Sequence, residues 1–191
     1  MPVKAFFDID TQIDFLFPAG ALYTQGAEKV IPAVAKLNRY AFDHGIPVIS
    51  STCAHTEDAA EFKVWPPHCI VDTIGQKKPA ATLLPAGQHI IEKNELDLFS
   101  NPELIPLLDS LGIEEAYVYG VLTEYCVKHA IMGLLKTGRK VYLVTDAIYH
   151  QSEEAAQQVI ADFTAAGGIC VSTSSVSTSH LPNTAPGDDS L

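Results

Sequence analysis

The chain has 191 residues, 47% of them hydrophobic and 18% charged, so it is long enough for one domain with a full core and too apolar to be disordered. Twelve basic against 23 acidic residues leave a net charge of −11, which argues against electrostatic binding to nucleic acid or to an anionic membrane, since both need a cationic footprint. No apolar run is long enough to span a bilayer, and the N-terminus enters a strand pattern without the layout of a signal peptide, so a cytoplasmic protein is expected. The cysteines at 53, 69, 126 and 170 show no C-x-x-C spacing and read as free thiols.

Val3 to Ile9 is an apolar run closed by Asp10 and predicts the first strand. After the loop Phe17-Pro-Ala-Gly20, residues Val30, Val34, Leu37 and Ala41 fall on one face of a helix that ends at Gly45. Ile46 to Ser50 reads as a second strand. From Ser51 to Gly87 no period is sustained, and so long an irregular segment in a compact domain is usually functional. Gln88 to Glu92 predicts a third strand ending at Lys93, Pro102 to Leu111 a short helix, and Ala116 to Tyr119 a buried fourth strand. Gly120 breaks that run, and Thr123 is read as the N-cap of a helix with Val127, Ala130, Ile131 and Leu134 inward. Lys140 to Val144 is a fifth strand running towards Asp146. Ser152-Glu-Glu154 caps a further helix with Ala156, Val159, Ile160 and Phe163 inward, and Ile169 to Val171 is a sixth strand. The domain is expected over residues 1–171, followed by a Ser/Thr-rich tail over 172–191.

Strands alternating with helices predict an α/β fold, a three-layer α/β/α sandwich around a mainly parallel six-stranded sheet. Ligands bind such sheets beyond the carboxyl ends of the strands, where the strand order reverses. Asp10, His55, Lys93 and Cys126 each fall at or just after the carboxyl end of a different strand. An acid, an imidazole, an amine and a thiol on one rim point to a chemical site. Cys126 falls in the first turn of a helix, where free N–H groups and the helix dipole stabilise a thiolate. A nucleophile of depressed pKa is one reading of it, and a small buried apolar residue is the other. Asp10 as a turn-capping carboxylate and Lys93 as a solvated strand-end lysine are the corresponding plain readings. No G-x-G-x-x-G or G-x-x-x-x-G-K-[ST] occurs, so neither a nucleotide nor another organic cofactor is expected.

Five motifs in order carry a family resemblance: Asp10-Thr-Gln-Ile-Asp14-Phe15, Pro18-Ala-Gly-Ala-Leu22, Trp65-Pro-Pro-His68-Cys69, Lys93, and Gly120-Val-Leu-Thr-Glu-Tyr-Cys126-Val. They resemble the isochorismatase-like cysteine hydrolases, and within them the nicotinamidase/pyrazinamidase branch, over about Phe6 to Ala147. The resemblance implies an Asp–Lys–Cys triad carried by Asp10, Lys93 and Cys126. It also implies a cis peptide between Val121 and Leu122 that turns the backbone N–H of Leu122, with that of Cys126, towards a developing oxyanion. The implied activity is deamidation of nicotinamide or a close pyridine carboxamide through a cysteine thioester. The alternatives are a related hydrolase of another small amide, carbamate or ureido compound, and a non-catalytic sensor or scaffold on the same fold. Phe15, Trp65, Val121, Leu122 and Tyr125 are the expected substrate contacts, with Trp65 beside the ring, and core packing is the alternative for Phe15 and Tyr125. A homo-oligomer is implied as well.

Nicotinamidases of this pattern carry Asp-x-His after the second strand and a further His in W-P-x-H-C, and bind a divalent ion that holds the pyridine nitrogen. His55 and His68 stand in those places here, but Cys53 stands where the aspartate would. Cys53, His55 and His68 are accordingly the expected ligands, with zinc as the ion, because a thiolate disfavours Mn²⁺ and Mg²⁺. Oxygen supplied by Glu57 or Asp58, or loss of the metal, are the alternatives. His129, three residues after Cys126, reads as a packing residue, with a Cys/His dyad as the alternative. Asp14 and Asp146 read as loop-organising acceptors, and His44, His89, His150 and His180 as surface histidines.

Overall fold

The strands are short runs whose residues alternate between two covered faces. The computed structural model describes residues 2–178, with β1 (Lys4–Ile9), β2 (Val48–Cys53), β3 (Gln88–Lys93), β4 (Glu115–Gly120), β5 (Lys140–Ile148) and β6 (Ile169–Val171). These six form one sheet in the order β3-β2-β1-β4-β5-β6, parallel at every pairing. The helices are α1 (Ile13–Leu16), α2 (Ile31–Asp43), α3 (Leu104–Ser110), α4 (Lys128–Lys136), α5 (Glu153–Ala165) and α6 (Thr173–Thr178). Phe7, Ile9 and Val118 pack on one side against Leu104, Ile131 and Phe163 of α3, α4 and α5. Their neighbours Phe6, Tyr117 and Tyr119 pack on the other against Leu16, Leu37 and Val176 of α1, α2 and α6. The period of two along each strand thus separates two apolar layers, and the expected α/β/α sandwich follows.

Local chemistry explains most boundaries. Pro32 sits in the first turn of α2, where its missing N–H costs nothing, and Gly45, at φ 66°, follows the last turn. Ser152 caps α5 by accepting a hydrogen bond from the Ala155 backbone N–H at 3.3 Å, with Glu153 and Glu154 at the positive end of the dipole. Two strands differ from expectation by more than one residue at an end. β2 begins at Val48 because Pro47 has no N–H to give to a ladder. β5 runs past Asp146 to Ile148, re-pairing with Gly120 after an irregularity in the β4 register.

The Ser/Thr-rich segment expected from 172 opens with α6. Its Thr173 donates from the backbone N–H at 2.8 Å and from Oγ1 at 2.7 Å to Asp146, the acceptor role read for that aspartate. Residues 179–191 of that segment lie outside the described residues, as does His180. Among the described residues no helix is long and apolar enough to cross a membrane. The chain lays β1, β2 and β3 outward to one side and β4, β5 and β6 to the other. The order therefore reverses between β1 and β4, and the crevice opens above their carboxyl ends.

Candidate active site

The crevice is shaped first by backbone. Gly120 ends β4 at φ 119°, and a Cβ there would meet the Ile9 carbonyl oxygen at 2.1 Å, so only glycine lets β4 lie against β1 at this level. The Val121–Leu122 peptide is cis, as the motif implies. Thr123 is not the N-cap read from the sequence. Residues Thr123–Val127 make a wide π-type turn in which the Val127 N–H reaches the Leu122 carbonyl at 3.2 Å, and Thr123 Oγ1 instead donates to the Tyr149 carbonyl at 2.9 Å. Tyr125 departs from helical angles within the turn, which leaves Cys126 at the crevice just before α4.

Asp10, Lys93 and Cys126 converge there. Asp10 follows β1 in the left-handed region, at φ 47°, unusual for a residue with a side chain. Ser51 holds it twice, accepting from the Asp10 backbone N–H at 3.2 Å and donating to Oδ1 at 2.6 Å. Lys93 Nζ lies 2.8 Å from Asp10 Oδ2 and 3.5 Å from Cys126 Sγ, and also donates to the Glu95 carbonyl at 3.0 Å. All three side chains are buried. Burial alone would raise the Asp10 carboxyl, but the Lys93 charge and hydrogen bonds from Cys126, Lys93 and Ser51 overcome it and hold the group below its usual range. Lys93 is held well above its usual range: burial opposes the charge, and Asp10 and the two thiols outweigh it.

Cys126 is not the depressed thiol that a helix N-terminus suggests. A hydrogen bond with Cys53, then burial, then the negative Asp10 push its pKa well up, against the pull of Lys93. Lys93 thus stands between the Asp10 carboxyl and the Cys126 sulfur, in contact with both.

A pocket opens beside Cys126. Phe15, Trp65, Val121, Leu122 and Tyr125, the expected substrate contacts, all line it. Trp65 and Tyr125 meet edge to face with ring centroids 5.4 Å apart, forming an aromatic wall. Leu22, from the Pro18-Ala-Gly-Ala-Leu22 motif, also lines the pocket, as do Thr24, Leu96 and Gln151, which carried no sequence signal since each arrives from a loop.

The expected ligand set is divided. His55 and His68 do come together, but the group that joins them is Glu61, the three ligand atoms lying within 4.8 Å of one another. Glu61 Oε2 is 3.6 Å from His55 Nε2 and 3.9 Å from His68 Nε2. Cys53 falls instead in a second group with Asp10 and Cys126, its Sγ 3.2 Å from Lys93 Nζ. β2 continues to Cys53, in register with Lys93 on β3, so the thiol is turned to the Lys93 side while His55, two residues on, enters the loop. Glu57 and Asp58 are exposed and belong to neither group. The short turn Ala60–Lys63 brings Glu61 back over the histidines instead.

The donor set suits a divalent cation. His55 Nδ1 bonds Asn94 Oδ1 at 2.7 Å and His68 Nδ1 bonds the Pro66 carbonyl at 2.8 Å, which fixes both rings with Nε2 towards Glu61. His55 Nε2 is fully buried with no hydrogen-bond partner, a lone pair left for an electrophile. Two imidazoles and a carboxylate with open positions are a catalytic zinc set. The preference for zinc argued from a Cys53 thiolate no longer applies, because the third donor is an oxygen.

Sequence reading passed over Gln12. Its Nε2 donates to the Cys53 and Gln76 carbonyls at 2.8 Å each, and its Oε1 accepts from the Cys53 N–H at 2.7 Å, so it pins the end of β2 beside Asp10. Its place within Asp10-Thr-Gln-Ile-Asp14 was the available signal. Asp14 organises the loops as read, accepting from the Ala21 and Cys69 N–H groups. His129 is exposed on α4 and neither packs nor pairs with buried Cys126.

Comparison with known proteins agrees with this geometry. The sequence profile of the isochorismatase domain matches residues 4–175. The nicotinamidase of Acinetobacter baylyi is 27% identical over 168 residues, 73% of this chain and 78% of that protein. The nicotinamidase of Escherichia coli is 25% identical over 177 residues, 76% and 83% of the two chains. The crystal structure of the Pyrococcus horikoshii pyrazinamidase in complex with zinc superposes with a TM-score of 0.84 at 29% identity, covering 90% of this chain and 99% of that one. The chain belongs to the isochorismatase-like hydrolase family, near its nicotinamidase and pyrazinamidase branch.

Proposed function

We propose that this hydrolase deamidates nicotinamide, or a close pyridine carboxamide, to the acid and ammonia. The observation that carries the reading is one aromatic-walled pocket lined at once by Cys126 and by Glu61 and His68 of the histidine–carboxylate group. A flat ring with a nitrogen at one side and a carboxamide at the other spans such a pair. His55, Glu61 and His68 would hold a divalent ion, zinc by the chemistry of the set and by likeness to the zinc-bound pyrazinamidase. Bound there, it supplies a Lewis-acidic position for the ring nitrogen.

The chain's own residues carry the chemistry. Asp10, ionised at rest, accepts the Cys126 proton as the sulfur attacks the carboxamide carbon. The raised thiol pKa keeps that proton in place until an electrophile arrives, and Lys93 balances the charge on sulfur and carboxylate throughout. The oxyanion forms beside the backbone N–H groups of Leu122 and Cys126. Collapse expels ammonia with the proton returned by Asp10. Water, deprotonated by Asp10, then cleaves the thioester and restores the thiol.

The test is ammonia release from nicotinamide with and without added zinc. Cys126→Ala is expected to lower kcat by at least about a thousandfold. Zinc-stimulated turnover by the native protein supports the whole reading. Turnover of other small amides but not of nicotinamide would remove the pyridine assignment and keep the nucleophile.

A further inference from the structure

Cys53 has no part in the reaction above, yet it shares the innermost contacts of the site. Lys93 Nζ donates to both sulfurs, at 3.2 Å to Cys53 and 3.5 Å to Cys126, and the two Sγ atoms lie within 4.8 Å of each other. Asp10 Oδ2 accepts from the Cys53 thiol at 3.6 Å, and the ligand atoms of Asp10, Cys53 and Cys126 all lie within 4.8 Å of one another. Both cysteines line the pocket. Two thiols, one base and one ammonium in a solvent-connected pocket are the parts of a thiol oxidation site.

We propose that Cys126 is the site of reversible oxidation by hydroperoxides and that Cys53 resolves it as an intramolecular disulfide. Cys126 sulfur, its proton passing to Asp10 as in attack on an amide, attacks the terminal oxygen of the peroxide: the S–O bond forms as the O–O bond breaks, the expelled hydroxide or alkoxide takes the proton back from Asp10 and leaves as water or an alcohol, and Cys126 is left as a sulfenic acid. Cys53 then gives its proton to Asp10 and attacks the Cys126 sulfur. The S–S bond forms as the S–O bond breaks, the hydroxyl takes the proton from Asp10 and departs as water, and two electrons have passed from the thiols to the peroxide. Forming the bond requires the sulfurs to close from within 4.8 Å to about 2 Å, by rotation about each Cα–Cβ bond. A dithiol reductant reverses the bond by exchange. The accompanying loss of turnover rests on the role proposed for Cys126. The bond itself does not.

Cys69 and Cys170 offer no comparable route. Cys69 is completely buried away from the pocket lining, with its thiol pushed up by burial, and Cys170 is exposed on β6. The experiment is to treat the native protein with one equivalent of hydrogen peroxide, alkylate, and read the intact mass and peptide map. The expected product has lost two hydrogens, retains two alkylatable thiols of the four, and yields a Cys53–Cys126 cross-linked peptide. Dithiothreitol is expected to return all four thiols and any ammonia release lost. With two or more equivalents of peroxide, Cys53→Ser and Cys53→Ala are each expected to carry Cys126 on to sulfinic acid, which dithiothreitol does not reverse. Sulfinic acid at Cys126 of the native protein with Cys53 still alkylated, or a bridge from Cys126 to Cys69, would overturn the proposal. If nicotinamide is not the substrate, the masses still decide the matter.

Discussion

Asp10 and Lys93 face each other at 2.8 Å with no solvent to share their charge. Asp10 is held below the ordinary value of 3.8, so its stabilising contribution is present above that pH and is lost as the pH falls through its lower folded pKa. Lys93 is held above 10.5, so its contribution is present below that pH and is lost as the pH rises through its higher folded pKa. Asp10→Asn leaves a buried ammonium facing no carboxylate and is expected to cost about 3–5 kcal/mol at pH 7, read by urea denaturation. That cost should shrink towards pH 10, where Lys93 can lose its proton, and Asp10→Asn/Lys93→Met should recover most of it. Asn94 acts one step from the expected metal by orienting the His55 ring at 2.7 Å. Asn94→Ala is expected to weaken zinc binding about 10–100-fold by calorimetry, without altering the alkylation rate of Cys126.

At the scale of elements, the crevice depends on how β4 ends. Gly120 combines a positive φ with contact against the Ile9 backbone, and neither can be relieved by side-chain movement. Gly120→Ala is expected to cost about 3 kcal/mol or more in a denaturation midpoint. Its loss of turnover should exceed what the unfolded fraction explains, because Val121, Leu122 and Cys126 all hang from that turn. The same stretch shows how legible elements were. β4 and α4 were readable because a β-branched run and a helical stripe repeat regularly. The turn between them was misread at Thr123, since a π-type turn has the residue types of an α-helix start and differs only in which carbonyl each N–H finds. Glu61 was missed for a related reason: the segment from 51 to 87 has no period, so nothing marks which carboxylate its turns bring back.

Across the whole molecule, a buried polar network ties the layers together behind the site. Lys78 Nζ pairs with Asp8 at 3.0 Å and donates to Thr11 Oγ1 at 2.6 Å, and Thr11 in turn donates to Asp8 at 2.6 Å. Asn38 of α2 donates to Asp8 at 2.9 Å and to the Thr82 carbonyl at 2.7 Å, while its Oδ1 accepts from the Tyr119 hydroxyl. One amide thus joins β1, β4, α2 and the end of the long loop that carries His55, Glu61 and His68. Asn38→Ala strands several buried groups and is expected to cost about 3 kcal/mol in urea denaturation. It should also raise hydrogen exchange across residues 77–82 more than across α4, because that loop loses its anchor while α4 packs on the opposite face.

The sequence by itself determined the α/β order, the two-faced burial of the strands and the rim position of Asp10, Lys93 and Cys126, because each follows from local periodicity and from where a strand must end. Only the tertiary structure decided the partners of the remaining groups. It put Cys53 beside Lys93 and Asp10 rather than with the histidines, gave Glu61 to His55 and His68, and raised the Cys126 thiol that local position alone would lower. The physical reason is the same in each case. Burial and the charges brought across the sheet by other strands act over a few ångströms of space, and that proximity has no period along the chain.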